Sequence, residues 1–542
     1  MAAVAVKGRP AAEHPGGSLG RFLLAGLRRH ERLAIPAQVD SDTLREMSFA
    51  EVLRQSVRAA EGWRALGLTS SDTLAVFCPH NHYLYPAFFG AILEGISVAI
   101  IKHSTPDELR RFLALIGPKA VLTEPAGLGV VRAALGAAGP GLLHVVAAAT
   151  SPDSHALSVP DLMAKGAAAD PETYRPGDVG DPTEHVAFLL FSSGSSGLPK
   201  MVHLSDYSFT MTLLCMRDWL LLPGDRMFIT SQLSWATGLT FTLVCAIMGA
   251  TRVYGWFGQD ASRKDWLEIV QRVQVTAWFV PPAGLTMLAA KGARAAPALR
   301  SLRVLLTSGS GLHADAQRRL SALLDTPVVQ WYGITEVGII AADGLPARPG
   351  SSGRPAPGVH IRLVDADSGL DLVAPNAIGE IRVTSPAYMS GYHNNEIETS
   401  QCLDDHGFFR TGDLAYLDED GYLYLVDRIK DQIKFENMGV APAELEALLL
   451  SHPAVRDACV VGRPYPLRLV DVAAAFVVRQ ADAGDLTDAE LGDIVADHLS
   501  YEKWLYGGVF FREEIPITPN GKPDRLHLRE WIKTLPPLEC SL

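Results

Sequence analysis

The chain is 542 residues long, which is more than one hydrophobic core can organise, so two or more domains are expected. A net charge of −12 argues against a general nucleic-acid binder, which needs clustered Lys and Arg, but leaves room for a local nucleotide site. The six cysteines (Cys78, Cys215, Cys245, Cys402, Cys459 and Cys540) are far apart, which disfavours a zinc site or disulfide framework and suits a reducing compartment.

In chain order, Lys7 and Arg9 are followed by prolines and glycines rather than an apolar run, so no signal peptide is expected. Thr73 to Cys78 and Ser97 to Ile101 read as short buried strands. Thr105-Pro-Asp-Glu108 reads as a capping box with proline at the first helical position, and Leu109, Phe112, Leu113 and Ile116 form the apolar face of the helix it opens. Ala120 to Leu122 begins another strand, and the stretch from Ala126 to Ala149 is rich in alanine. Strand signals recur at His185 to Phe191, Arg226 to Thr230, Thr251 to Tyr254, Ala277 to Val280 and Val304 to Leu306. Such alternation of strands and helices predicts parallel sheets with helices packed on them. Leu239 to Ala250 is the longest apolar run and is too short to cross a bilayer.

Around Gly350 the character changes to glycine, proline and short alternating strands up to Val426, which predicts a β-rich subdomain over about 350–426. Asp418-Glu-Asp-Gly421 reads as a turn before the strand Tyr422 to Val426. A boundary falls near Arg428 to Lys430. Beyond it, helices are predicted at Ala441 to Leu450 and Asp488 to Leu499, and strands at Ala458 to Val461 and Ala473 to Val478.

Five segments carry chemistry. The first is Phe191-Ser-Ser-Gly-Ser-Ser-Gly-Leu-Pro-Lys200, directly after a buried strand. Gly194 and Gly197 let backbone N–H groups turn inward, Ser192, Ser193, Ser195 and Ser196 add hydroxyl donors, and Lys200 adds charge, which is the composition of a phosphate cradle. The common G-x-x-x-x-G-K-[ST] loop does not fit, because Met201 comes after the lysine; a flexible Gly/Ser linker is the plainer alternative. The second is Trp331-Tyr-Gly-Ile-Thr-Glu336, where an aromatic can stack on a purine and Glu336 can offer oxygen to Mg2+. The third, Phe409-Arg-Thr-Gly-Asp413, places a short carboxylate after a glycine, suited to two ribose hydroxyls or to a simple Asx turn. The fourth, Asp427-Arg-Ile-Lys-Asp-Gln-Ile-Lys434 with Val440-Ala-Pro-Ala-Glu444, sits on the boundary. The fifth, Pro519-Asn-Gly-Lys522-Pro-Asp-Arg525, presents Lys522 at the tip of a tight turn.

In this order and spacing the five segments resemble the adenylate-forming superfamily of acyl-CoA synthetases, firefly-type luciferases and peptide-synthetase adenylation domains. The stretch from Gly407 to Leu450, with Tyr-Leu-Val-Asp-Arg and Val-Ala-Pro-Ala-Glu-Leu-Glu, looks most like the 4-coumarate–CoA ligase and luciferase-like branch. The resemblance implies an α/β fold. A large N-terminal AMP-binding domain, residues 1–428, would hold two α/β subdomains and a small β-barrel-like one; residues 429–542 would form a small mobile α+β domain. It implies ATP, Mg2+ and CoA as cofactors and a small carboxylic acid as substrate. The acid would attack the α-phosphate to give acyl-AMP and pyrophosphate, and a thiol would then displace AMP. Ser192 to Lys200 would cradle the β- and γ-phosphates, Thr335 would contact the α-phosphate, and Glu336 would bind Mg2+. Tyr332, just before Gly333, would stack on adenine, and Asp413 would hold the ribose with help from Arg428. Lys522 would bridge carboxylate and phosphate in the first step. Lys430 matches the hinge, and rotation about it would bring the loop beginning at Lys434 into the site for the second step. A monomer or weak homodimer is expected, with no membrane span because no apolar run is long enough and no nucleic-acid partner because of the negative net charge. A cytoplasmic or peroxisomal location is expected; the terminal Cys540-Ser-Leu542 is a poor match to the peroxisomal S-K-L address, lacking its middle basic residue, and reads more simply as an ordinary terminus.

The chain also departs from the family pattern. Serines replace the usual threonines of the phosphate loop, and Asn437 stands where glycine is common. The acyl pocket would be formed by Ser234, Trp235, Thr237, Ser308, Gly309 and Trp331. Ser234-Trp-Ala-Thr-Gly238 lacks the two histidines of firefly-type luciferases, which argues against luciferin oxidation. If Trp235 and Trp331 line the pocket rather than pack in the core, they reshape it toward a medium or unusual acid. The chain is expected to be an acid–CoA ligase, with a luciferase-like monooxygenase, a carrier-dependent adenylating enzyme and a non-catalytic nucleotide- or acid-binding protein as alternatives.

Overall fold

The computed structural model describes residues 6–538 apart from 103–104, 136–141, 153–154, 193–199, 217–220, 256–265, 281, 292–294, 310–311, 313, 366–367, 436–437, 466–469, 482–485, 500, 519–521 and 537. The local signals act where the sequence places them. Thr105 Oγ1 accepts from Glu108 N at 3.3 Å, and Glu108 Oε2 accepts from Thr105 N at 3.1 Å, a reciprocal box that opens helix Pro106–Ile116. Its four apolar positions are all buried.

Among the described residues the strands form two large sheets, a smaller antiparallel one and two short C-terminal ones. The first large sheet has eight strands, in the order Gly391–Tyr392, Lys200–Ser205, Val186–Ser192, Ser97–Ile100, Thr73–Phe77, Ala120–Thr123, Leu143–Val146 and Leu157–Ser158. It is parallel from Val186–Ser192 onward, and the two strands beyond that edge are antiparallel. The second has nine strands, with a parallel centre of Val328–Ile334, Val304–Ser308, Ala277–Phe279, Arg226–Ile229, Thr251–Tyr254 and Pro36–Asp40. Purely parallel strands buried on both faces read as continuous apolar runs, which makes them legible in the sequence.

One continuous core joins the two large sheets. It takes Val76, Ile100 and Leu190 from the first, Met227, Phe279 and Leu306 from the second, and the helices between them. Helix Leu84–Glu94 is buried on every side, and helix Ala236–Met248 is buried from Gly238 to Ile247, as expected of helices that are apolar all round. The apolar run 239–250 is therefore a core helix and its turn. Among the described residues no helix is long and apolar enough to cross a membrane.

The β-rich region is a five-stranded antiparallel sheet in the order Val6–Lys7, His360–Val364, Gly379–Thr384, Phe409–Leu417 and Leu423–Arg428. The predicted turn closes its last two strands, with Gly421 N donating to Asp418 O at 3.0 Å. The small C-terminal domain comes next. It has the hairpin Ile433–Phe435 and Met438–Val440, a three-stranded sheet (Val455–Tyr465, Val470–Arg479, Val509–Arg512) and helices Pro442–Ser451, Asp488–His498 and Arg525–Lys533. It has its own apolar core around Leu445, Val460, Val472 and Val495. Both predicted strands are longer in the structure than the apolar runs that announce them, because Asp457, Arg463, Asp471 and Arg479 interrupt or end the apolar pattern yet still pair.

Candidate active site

The predicted residues come from all three N-terminal sheets and the far end of the chain. Lys200 opens strand Lys200–Ser205 and pairs with Ser192, the last residue of the neighbouring antiparallel strand. Ser193, Gly194, Ser195, Ser196 and Gly197 lie outside the described residues. The Lys200 ammonium contacts the Glu398 carboxylate and sits 5.0 Å from the centre of the Tyr392 ring. Tyr392 is fixed by the short edge strand, where it pairs with Val202. Its hydroxyl donates to Glu336 Oε1 at 3.2 Å. Tyr392 thus stands between Lys200 and Glu336, and burial together with the Glu336 carboxylate pushes its phenol well above the ordinary value.

Thr335 and Glu336 occupy the turn between strands Val328–Ile334 and Gly338–Ala342. Glu336 O accepts from Met389 N at 2.8 Å, which ties this turn to the segment carrying Tyr392. Immediately before the turn, buried Tyr332 donates its hydroxyl to Asp413 Oδ2 at 2.7 Å. The other carboxylate oxygen, Oδ1, accepts from Arg428 Nε at 2.7 Å. Asp413 and Arg428 are direct partners across neighbouring antiparallel strands, so sheet register positions this pair. Each carboxylate oxygen keeps a lone pair in reserve, enough to accept from further hydroxyls. Burial, then the adjacent Asp413 charge, holds the Tyr332 phenol protonated far above its usual range.

Ser308 ends its strand beside Trp331 on the next one, and Gly309 comes after it with φ +105°, a left-handed conformation that glycine adopts without strain. A methyl group built on Gly309 would lie 3.7 Å from Lys522 Cε. The C-terminal lysine therefore reaches the end of a strand in the second large sheet. Its turn is pinned at both ends of the residue: Lys522 N donates to Thr518 Oγ1 at 3.3 Å, and Lys522 O accepts from Thr518 N at 2.7 Å.

Trp331 is 6% exposed, stacks on Phe241 at 6.1 Å and 18°, and donates from Nε1 to Asp343 O at 3.1 Å. It is a wall of the core. Trp235 is only partly buried and caps helix Ala236–Met248 without a side-chain bond. Thr237 Oγ1 lies 3.1 Å from Ser231 Oγ, and Ser234 Oγ lies 3.5 Å from Gln232 Oε1. A side chain on Gly238 would meet Gln232 O at 2.0 Å, so Gly238→Ala is expected to push this turn open and lower the thermal unfolding temperature by a few degrees, which a melting curve checks. The buried His80 also supports the turn, with Nε2 3.0 Å from Ser231 O, and burial lowers its pKa to about 4, so it is neutral.

Lys430 lies in the 3-10 turn Ile429–Asp431 and Lys434 in strand Ile433–Phe435; their side chains, and Asn437, lie outside the described ones. The neighbouring Asp427 Oδ2 accepts from Ala443 N at 3.4 Å, and burial raises its pKa to about 6. Tyr392, Glu398 and His80 carry no motif that singles them out in the sequence. Asn395, which caps the helix carrying Glu398, is a visible start signal, but nothing in the sequence places that helix against Lys200.

The chain matches the model of the AMP-binding enzyme family over residues 27–393 and that of the AMP-binding enzyme C-terminal domain over residues 444–522. It belongs to the AMP-binding, adenylate-forming enzymes. 4-Coumarate–CoA ligase 1 of Oryza sativa subsp. japonica is 30% identical over 529 residues, covering 94% of this chain and 91% of that protein. Luciferin 4-monooxygenase of Nipponoluciola cruciata is 29% identical over 530 residues, 95% of each. The solved structure of the amide bond synthetase McbA from Marinactinospora thermotolerans superposes with a TM-score of 0.81 at 27% identity, covering 95% of this chain and 99% of that one. The AMP-binding enzyme thus shares nearly its whole length with proteins of three different activities, and the family supports an AMP-forming ligase.

Proposed function

We propose that this AMP-binding enzyme is an ATP-dependent acid–CoA ligase acting through an acyl-adenylate. The observation that carries the reading is the reach of Lys522 to Gly309, beside strand ends bearing Ser308, Trp331 and Tyr332. A mobile-domain cation at the acyl pocket is what carboxylate attack on a phosphate requires, since two anions must be brought together. Residues 1–428 form the nucleotide-binding part and residues 429–542 the part that turns about Lys430 between the two steps, carrying Lys434 and its loop toward the site for the second.

Lys200 and the Ser192–Gly197 hydroxyls and amides take the β- and γ-phosphates, and Thr335 takes the α-phosphate. Asp413, already oriented by Tyr332 and Arg428, takes the ribose hydroxyls on its remaining lone pairs. Tyr332 lies along the adenine. Glu336 fits magnesium: it is a hard oxygen donor in a turn, its Oε1 oriented by the hydrogen bond from Tyr392, with Oε2 accepting no hydrogen bond among the described residues. Bound magnesium would neutralise phosphate charge. Ser234, Trp235, Thr237, Ser308, Gly309 and Trp331 border the acid.

A second reading, an amine in place of CoA as acceptor, is favoured by the likeness to an amide bond synthetase. Pyrophosphate release measured over fatty, aryl and cinnamic acids, each with CoA, with a small amine or with neither, tests both. Carboxylate-dependent release and a thioester with CoA are expected. An amide without a thioester moves the acceptor to an amine. Release independent of every acid removes the ligase reading.

A further inference from the structure

Glu398 places a negative charge beside Lys200, the cation of the proposed phosphate grip. Its carboxylate contacts the Lys200 ammonium. Its other oxygen, Oε2, accepts from Asn395 Nδ2 at 2.9 Å, and its backbone N donates to Asn395 Oδ1 at 3.1 Å. The side chain is therefore held from both sides, in the first turn of a helix, and is about one-third exposed (32%), while Lys200 is 16% exposed. On the far side of Tyr392 lies Glu336. One lysine and two carboxylates thus share a small region, and the lysine is already neutralised.

We propose that Glu398 is an internal competitor for the polyphosphate at Lys200, one that weakens ATP binding and hastens the departure of pyrophosphate. This rests on the ligase reading. An anion arriving at Lys200 must break the Lys200–Glu398 contact and then endure the Glu398 charge nearby. When pyrophosphate leaves, Glu398 reclaims the lysine, so the released product does not leave a bare cation behind. The device trades affinity for turnover: the same displacement that raises KM for ATP lowers the hold on a product that would otherwise reverse the first step.

The test compares wild type with Glu398→Gln and Glu398→Ala in carboxylate-dependent ATP–pyrophosphate exchange. The KM for ATP and the inhibition constant of pyrophosphate are both expected to fall about three- to fivefold, the scale of a part-exposed ion pair, with the KM for the acid unmoved. Asn395→Ala, which frees one side of the carboxylate, should shift both in the same direction by less. A KM for ATP that rises or stays put, or a pyrophosphate constant that does not move with it, overturns the proposal. If wild type shows no acid-dependent exchange, the ligase reading fails by itself. Equilibrium binding of ATP and of pyrophosphate to the same variants then still decides the point, tighter binding supporting competition and unchanged or weaker binding refuting it.

Discussion

Lys522→Ala is expected to slow acyl-adenylate formation by about a hundred- to a thousandfold, the range for removing one preorganised charge from a developing transition state. Thioester or amide formation from preformed acyl-AMP should change by no more than a few-fold. The asymmetry comes from where the lysine sits. Lys522 is exposed at a turn of the small domain, and its backbone is tied to Thr518, so the residue contributes reach and charge rather than packing. Losing it should leave the fold intact, within the roughly 0.5 kcal/mol typical of surface substitutions. Its side chain approaches Gly309, where a Cβ would already be in contact, so the lysine passes along a strand end with room for it. Single-turnover pyrophosphate release, run beside product formation from chemically made acyl-AMP, separates the two steps. Equal losses in both would place Lys522 in general binding instead of the first step.

Sequence is informative about this molecule where the information is local and thins where it is not. The capping box at Thr105, the apolar strands of the two large sheets and the turn before Tyr422 are each set by neighbours within a few residues, and all appear in the structure. Ser308, Gly309, Thr335 and Glu336 are legible because small and charged types stand at or just past the ends of parallel strands, where such sheets place binding groups. The pairing of those residues is not legible. Tyr332 suggests a stacking ring; its hydroxyl bond to Asp413 depends on how the second large sheet meets the β-rich one. Glu398 resembles any exposed glutamate in a short helix, and only the edge strand Gly391–Tyr392, two residues long, brings its helix to Lys200. The two tryptophans show the same limit. Both are expected at the pocket from the family resemblance alone; in the fold Trp331 is packed against Phe241 while Trp235 remains partly open at the helix start.

Asp413→Ala should produce the second large effect, and it should register in two separate measurements. Asp413 is 6% exposed and joins a buried phenol to a guanidinium that is partly open to solvent. Removing the carboxylate strands the Tyr332 hydroxyl and the Arg428 Nε, which costs about 1–3 kcal/mol of stability for a buried group left unsatisfied. The Arg428 side chain, 40% exposed, can turn to water, so the lower half of that range is expected. The functional loss is greater. Two hydroxyls accepted by an ionised, prealigned carboxylate are charge-assisted bonds, so the KM for ATP should rise about 10- to 100-fold. Tyr332→Phe separates the contributions: it keeps the ring and removes only the donor, and should cost stability while moving the KM for ATP far less. Denaturant unfolding reads the first quantity and ATP-dependent exchange the second. If Asp413→Ala and Tyr332→Phe destabilise alike and neither moves the KM for ATP, the carboxylate is a structural clasp between two sheets, and the ribose must be held elsewhere.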